Sequence, residues 1–282
     1  MNLQRLRREC RAMLESSGTA RPAYCADVII SHKLGIGRAE LLYKDDDIPP
    51  RDCGGIFSLI ARRAKGVPLS YVLHEAEFYG YAFKVGRGVL IPRPETELLV
   101  EAALKYYPRG TSARFADWCT GSACIAISLM LENPALSGIG VDKSPQALRW
   151  AAINRRLHSL CGKLDFVRNA EPCNAPFRAA EFDFIISNPP YIPEDELAGL
   201  MSEVADYEPR VALDGGSGGL FLYRKFFAAF PRMIKHGGML FLETAGAAQI
   251  ASLERMLPKE FSLSDKIIDY NGIPRHIILR RE

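Results

Sequence analysis

From about residue 95 the apolar pattern alternates between a period of two and a period near 3.6, and this restricts the fold more than any other feature. A helix over 95–107 leads to a strand over 113–118 and a helix over 122–132. A strand over 138–141 precedes a helix opened by Ser144-Pro145, where serine suits the N-cap and proline the first helical position. Strands over 165–168 and 182–187 come next, then a long loop, a helix over 220–235 stopped by Gly237-Gly238, and a strand over 239–243. A helix over 249–257 leads to two terminal strands, 262–269 and 276–280, joined through Asn271-Gly272-Ile273-Pro274. Strands separated by helices run parallel, because a crossover returns the chain to the same end of the sheet. The pattern predicts an α/β fold with a doubly wound, mostly parallel seven-stranded sheet. Its antiparallel edge is where the last two strands lack a crossover helix.

Ahead of this region the period is helical throughout. Leu3, Leu6, Cys10, Met13 and Leu14 share one face, as do Tyr24, Val28 and Ile29 over 21–34, and Ile56, Leu59, Ile60 and Ala64 over 55–64. Residues 1–72 are expected to form a small all-α N-terminal domain. Aromatic and β-branched residues over 78–85 and 89–91 flank Gly86-Arg87-Gly88, so 73–94 reads as a linking β-hairpin before a third region, 95–282.

Composition removes several classes. With 48% hydrophobic and 24% charged residues, a chain of 282 can bury a core without disulfides or metal. The seven cysteines include no C-x-x-C pair, and the five histidines do not cluster with them, which predicts reduced thiols and no metal site. Charged residues run from Met1 to Glu15, so no signal peptide is expected. No stretch approaches the roughly 18 apolar residues of a membrane span, and the expected compartment is the cytoplasm. The net charge of +3 is small and evenly spread, which does not predict a nucleic-acid groove.

In a doubly wound sheet ligands sit beyond the C-terminal strand ends, near the point where strand order reverses. The first strand of this region ends in Asp117-Trp118-Cys119-Thr120-Gly121-Ser122-Ala123-Cys124. Small residues at 119, 121 and 123 admit close backbone approach, and the next helix N-terminus offers N–H groups to an anion. Asp142 ends the second strand, where a carboxylate can take both hydroxyls of a ribose. A tight strand–helix turn with a capping aspartate is the alternative.

A sharper signal follows the apolar strand Phe184-Ile185-Ile186: Ser187-Asn188-Pro189-Pro190-Tyr191. An amide nitrogen is a poor nucleophile because its lone pair is delocalised into the carbonyl. The Asn188 side-chain oxygen and the Pro189 carbonyl can accept both hydrogens of an –NH₂ group, orienting it and stabilising developing positive charge. The two prolines fix φ and keep Asn188 extended, while Tyr191 offers a flat face to a planar amide or base. A strand-ending loop with a surface tyrosine is the competing explanation.

Together these segments resemble the PrmC/HemK family, the protein-(glutamine-N5) methyltransferases that modify the Gly-Gly-Gln glutamine of peptide chain release factors. Pro68-Leu69-Ser70-Tyr71-Val72, Glu77-Phe78-Tyr79-Gly80, Leu90-Ile91-Pro92-Arg93-Pro94-Glu95-Thr96-Glu97 and Tyr207-Glu208-Pro209 carry the resemblance beside Asn188 to Ile192. It implies a class I S-adenosylmethionine (SAM) dependent methyltransferase fold for 95–282, and substrate recognition by the helical domain. It places SAM on Cys119, Thr120, Gly121, Ser122 and Ala123, with its ribose on Asp142 and a further contact at Glu171. It sets Asn188 between cofactor and substrate, and gives the target glutamine to Asn188, Pro189, Pro190 and Tyr191, of which Asn188, Pro189 and Tyr191 are catalytic. Cys119 and Ala123 stand where the SAM loop has glycines, and His74 where the family usually has one. Release factors are the implied partners of an expected monomer, with no membrane and no direct sequence-specific nucleic-acid binding. The rival enzyme reading is a nucleic-acid N6-adenine methyltransferase using the same Asn-Pro-Pro-Tyr geometry. A catalytically silent binding module is the non-enzymatic one.

Overall fold

The computed structural model describes residues 1–282, in two compact units: Met1–Glu75 with Met201–Tyr207, and Ala76–Leu200 with Glu208–Glu282.

The first unit holds helices α1 (Leu3–Ser16), α2 (Pro22–Leu34), α3 (Pro50–Ala64) and α4 (Leu69–Leu73). The Asn2 side chain caps α1 by accepting from the Gln4 and Arg5 amides, and α2 ends on Gly35 at φ 66°. Leu3, Leu6, Cys10 and Leu14 of α1 pack with Ile29 and Ile30 of α2, Ile56 and Ile60 of α3, and Val72. α3 starts earlier than its apolar run, because Pro50 preorganises a first turn whose one core residue is Cys53. Residues 201–207, which sequence reading placed in the C-terminal region, belong to this unit. Arg63 is almost fully buried and needs a counter-ion; Glu203 supplies it at 2.5 Å, and the Tyr207 hydroxyl donates to the Lys65 carbonyl at 2.7 Å.

The hairpin strands are β1 (Glu75–Phe78) and β2 (Tyr81–Lys84), turning at Tyr79-Gly80 with φ 52° and 74°. This corrects the expectation of a turn at Gly86-Arg87-Gly88. Two successive positive-φ residues make the tight turn that matches strand twist, and it lies inside the aromatic run that reads as one strand. Residues 85–93 are loop.

The remaining elements are α5 (Pro94–Tyr106), β3 (Ala113–Trp118), α6 (Cys124–Glu132), β4 (Leu136–Asp142), α7 (Pro145–Leu157), β5 (Leu164–Arg168) and β6 (Phe182–Ser187). They are followed by α8 (Phe221–Met233), β7 (Ile234–Glu243), α9 (Ala247–Arg255), β8 (Phe261–Ile268) and β9 (Pro274–Arg281). The seven main strands lie in the order β5-β4-β3-β6-β7-β9-β8, antiparallel only at β7/β9 and β9/β8. Successive side chains take opposite faces. Phe115, Phe184, Ile186 and Phe241 bury against α5, α6 and α7, while Trp118, Ile185, Leu240 and Leu242 bury against α8 and α9. β7 begins at Ile234, before the glycines expected to precede it: Ile234 is buried and pairs with Phe182, and Gly237-Gly238 fall inside the strand at a register shift. All seven cysteines are free, and no helix is long and apolar enough to cross a membrane.

Candidate active site

The chain winds from β3 outward through β4 to β5, then returns to β6 on the other side of β3. Strand order therefore reverses at β3/β6, which opens a crevice at their C-terminal ends. Trp118 lies opposite Ser187 in the register, and the Ser187 hydroxyl donates to the Trp118 carbonyl at 2.5 Å. The loops that begin at Cys119 and Asn188 thus leave the sheet side by side.

The first loop is unusual in its backbone. Cys119, Gly121 and Ala123 have φ of 62°, 55° and 64°. Two of these left-handed positions carry a Cβ, at a cost of roughly 1–2 kcal/mol each. Internal bonds hold them: the Thr120 amide donates to Val141, that of Gly121 to Asp142 Oδ2, and that of Ala123 to Thr120, at 3.0, 3.0 and 2.7 Å. The amides of Ser122 and Cys124, two residues that line the cavity described below, make no backbone hydrogen bond. Asp142 Oδ1 also accepts from Ser144 at 2.8 Å, so one carboxylate ties both strand-end loops together.

Behind the loop lies Asp117, fully buried, whose Oδ2 accepts from Thr120 Oγ1 at 2.6 Å and the Ala126 amide at 3.3 Å. Burial pushes its pKa up to about 7. The folded state then holds the proton more tightly than the unfolded chain, so this group's stabilisation falls as pH rises from about 4 through about 7. Asp117→Asn is expected to flatten that loss. Urea unfolding at pH 5 and pH 8 checks it: an unchanged pH dependence in the variant would refute the assignment.

One cavity of about 260 Å³ is lined by Cys119, Thr120, Gly121, Ser122, Asp142, Glu171, Asn188 and Pro190. Ala123, Pro189 and Tyr191 of the expected set do not line it. Ala123 shapes the loop from beneath, Pro189 is buried behind the corner, and Tyr191 packs partly against the α8 side of the core. Both Glu171 oxygens are taken by Lys225 Nζ, at 2.6 and 2.7 Å, and that ammonium also sits 4.4 Å from the Phe221 ring centre. Asn169, one step past β5, is the better-placed polar group: it lines the cavity and its buried Oδ1 has no partner. Sequence reading left this stretch ambiguous because several polar residues follow the strand.

Asn188 is oriented by a residue that sequence reading quoted without a role. Its Nδ2 donates to Thr96 Oγ1 at 2.9 Å, and Thr96 is 2% exposed on the first turn of α5. With the nitrogen held there, Oδ1 is left as the acceptor, and neither it nor the Pro189 carbonyl takes a hydrogen bond from the protein. Arg93, at the cavity wall, pairs with buried Glu208 at 2.5 Å, and Glu208 Oε2 accepts from the Ile91 amide at 3.0 Å. The corner is also braced from behind. Gln249 Nε2 donates to the carbonyls of Tyr191 and Gly219 at 3.1 and 3.0 Å, and a Cβ at Gly219 would collide with the Tyr191 carbonyl. Thr96→Val keeps the shape but removes the acceptor, freeing the Asn188 amide to turn. We expect kcat to fall about tenfold with SAM affinity unchanged; turnover and equilibrium SAM titration measure the two, and a full kcat would dismiss this role for Thr96.

A reversed-order parallel sheet, an acidic residue at the second strand end and a diproline corner across one crevice define a SAM-dependent methyltransferase. Residues 5–73 match the PrmC N-terminal domain and residues 94–205 the methyltransferase small domain. A release factor glutamine methyltransferase from Nitratidesulfovibrio vulgaris is 39% identical over 282 residues, covering 99% of this chain and 95% of that one. The chain belongs to the release factor glutamine methyltransferase family, and its methyl donor is SAM. A relative of the same description from Geobacter sulfurreducens is 39% identical over 267 residues, 94% of this chain and 92% of its own. The solved protein-(glutamine-N5) methyltransferase from Alicyclobacillus acidocaldarius is 29% identical over 71% of this chain and 99% of that one, with a TM-score of 0.39.

Proposed function

We propose that this enzyme methylates the side-chain amide nitrogen, N5, of the glutamine in the Gly-Gly-Gln motif of peptide chain release factors. The observation that carries the reading is Asn188 Oδ1, an acceptor left free at the wall of the cavity that Cys119, Thr120, Gly121 and Ser122 also line. A primary amide presents its N–H bonds in one plane, and an oxygen acceptor on a rigid diproline corner can hold one of them in a fixed direction. The names of the relatives supply the substrate class, release factors and glutamine.

The cavity residues suit SAM. The Ser122 and Cys124 amides at the start of α6 suit a carboxylate, Asp142 a pair of ribose hydroxyls, and the orphaned Asn169 Oδ1 an exocyclic amine of the base. When bound, SAM supplies a methyl group on a positively charged sulfur, an electrophile that leaves behind a neutral thioether. The protein's own residues do the rest. Asn188 holds the amide nitrogen in line and draws positive charge toward its oxygen as the new N–C bond forms and the methyl–sulfur bond breaks; the nitrogen then releases one proton to solvent, leaving the N-methyl amide. Thr96 keeps the Asn188 oxygen turned inward. Tyr191 supports the corner, and the helical unit of 1–75 is assigned to recognition of the release factor.

Incubation with an unmodified release factor and SAM, followed by peptide mass spectrometry, tests the proposal. One added methyl on the Gly-Gly-Gln glutamine is the expected result. Methyl on another residue, or on DNA instead, overturns it.

A further inference from the structure

Behind the diproline corner the sheet buries two ionisable side chains face to face. Glu243 ends β7 and His276 sits opposite it in the antiparallel register with β9, at side-chain exposures of 1% and 0%. His276 Nε2 lies 3.6 Å from Glu243 Oε2, and Glu243 Oε1 accepts from the Tyr191 hydroxyl at 3.3 Å. Glu243 Oε2 and both His276 ring nitrogens have no hydrogen-bond partner. Their neighbours along the two strands, Leu240, Phe241, Leu242, Ile277 and Ile278, are all buried and apolar.

As a stabilising device this arrangement is poor. Replacing such a buried pair by hydrophobic residues of similar size is often neutral or favourable, and buried polar atoms are rarely left unpaired. The two side chains take one hydrogen bond from outside the pair, from the Tyr191 hydroxyl, and Tyr191 belongs to the Asn188-to-Tyr191 corner. We propose that Glu243 and His276 are positioning residues: the carboxylate, packed 3.6 Å from the imidazole, anchors the Tyr191 hydroxyl and thereby fixes the corner whose Asn188 oxygen holds the substrate amide. The Tyr191 carbonyl is fastened separately by Gln249, so ring and backbone are pinned at opposite ends. A tyrosine fixed at both ends holds Pro189 and Pro190 in register with the crevice. The inference rests on the glutamine reading above and adds the source of the corner's rigidity.

The test measures methylation of an unmodified release factor by four proteins: wild type, Tyr191→Phe, Glu243→Leu/His276→Leu, and the triple variant. Tyr191→Phe deletes only the hydroxyl and should lower kcat about tenfold with SAM affinity unchanged. The double variant should show the same loss of kcat while its Tm is unchanged or higher, a combination that a purely structural pair would not produce. The triple variant should be no slower than either, because all three changes remove one interaction. Full kcat in Tyr191→Phe overturns the proposal, even if the double variant fails to fold; so does full kcat in a folded double variant, or losses that multiply in the triple. A wild type that leaves the glutamine unmethylated removes the functional reading instead, whereas an active wild type with indifferent variants removes only the positioning pair.

Discussion

Asn188→Ala is expected to lower kcat by roughly 10²–10³ while the fold and SAM affinity stay close to wild type. The side chain stands half-buried at the crevice, its nitrogen fixed on Thr96 and its oxygen free. Removing it deletes the acceptor proposed for the substrate nitrogen, a contact that on this reading strengthens as positive charge grows there. The loss therefore belongs to kcat and not to cofactor binding. Thr96 is left with a hydroxyl that can still donate elsewhere, so the stability cost is small beside the catalytic one. Steady-state kinetics on a release factor, with circular dichroism and SAM titration as controls, separate these terms. A folded variant with near-normal turnover would show that the amide is activated by something other than this corner.

The second large effect is expected at Asp142. Its two oxygens hold the Gly121 and Ser144 amides, at 3.0 and 2.8 Å, and the same carboxylate faces the cavity. Asp142→Ala removes the acceptor proposed for the ribose and releases a loop already strained at Cys119 and Ala123. Hydrogen bonds to a charged group contribute about 1.5–3 kcal/mol each, so losing two should weaken SAM binding by about a hundredfold or more. Asp142→Asn retains one acceptor and should fall between the two. Calorimetric titration with SAM measures both; a dissociation constant within about threefold of wild type in Asp142→Ala would refute the ribose assignment.

Three residues expected at the site, Ala123, Pro189 and Tyr191, do not reach the cavity wall. Ala123 takes the left-handed backbone of the loop, Pro189 stiffens the corner from its buried side, and Tyr191 is held against Glu243. Residue type singles out the loops, but which side chain faces the cavity depends on backbone torsions that composition does not encode. Glu171 shows the opposite limit. It reaches the cavity, yet Lys225 from α8 occupies its carboxylate, a pairing between segments far apart in the chain.

What the amino-acid sequence determined by itself was the order and type of the elements in the sheet region and the two loops that leave it beside the cavity. These follow from short-range physics: apolar period separates strand from helix, and Ser144-Pro145, Gly121 and Asn188-Pro189-Pro190 restrict backbone torsions locally. Tertiary structure alone decided that Thr96 fixes the Asn188 amide, that Tyr79-Gly80 turns the hairpin, that residues 201–207 join the helical unit through Arg63, and that Glu243 meets His276. Each is a pairing across the register of two strands, between distant segments, or at a turn hidden in a uniform run, and such contacts are chosen by the packing of the whole chain and not by the neighbours of any one residue.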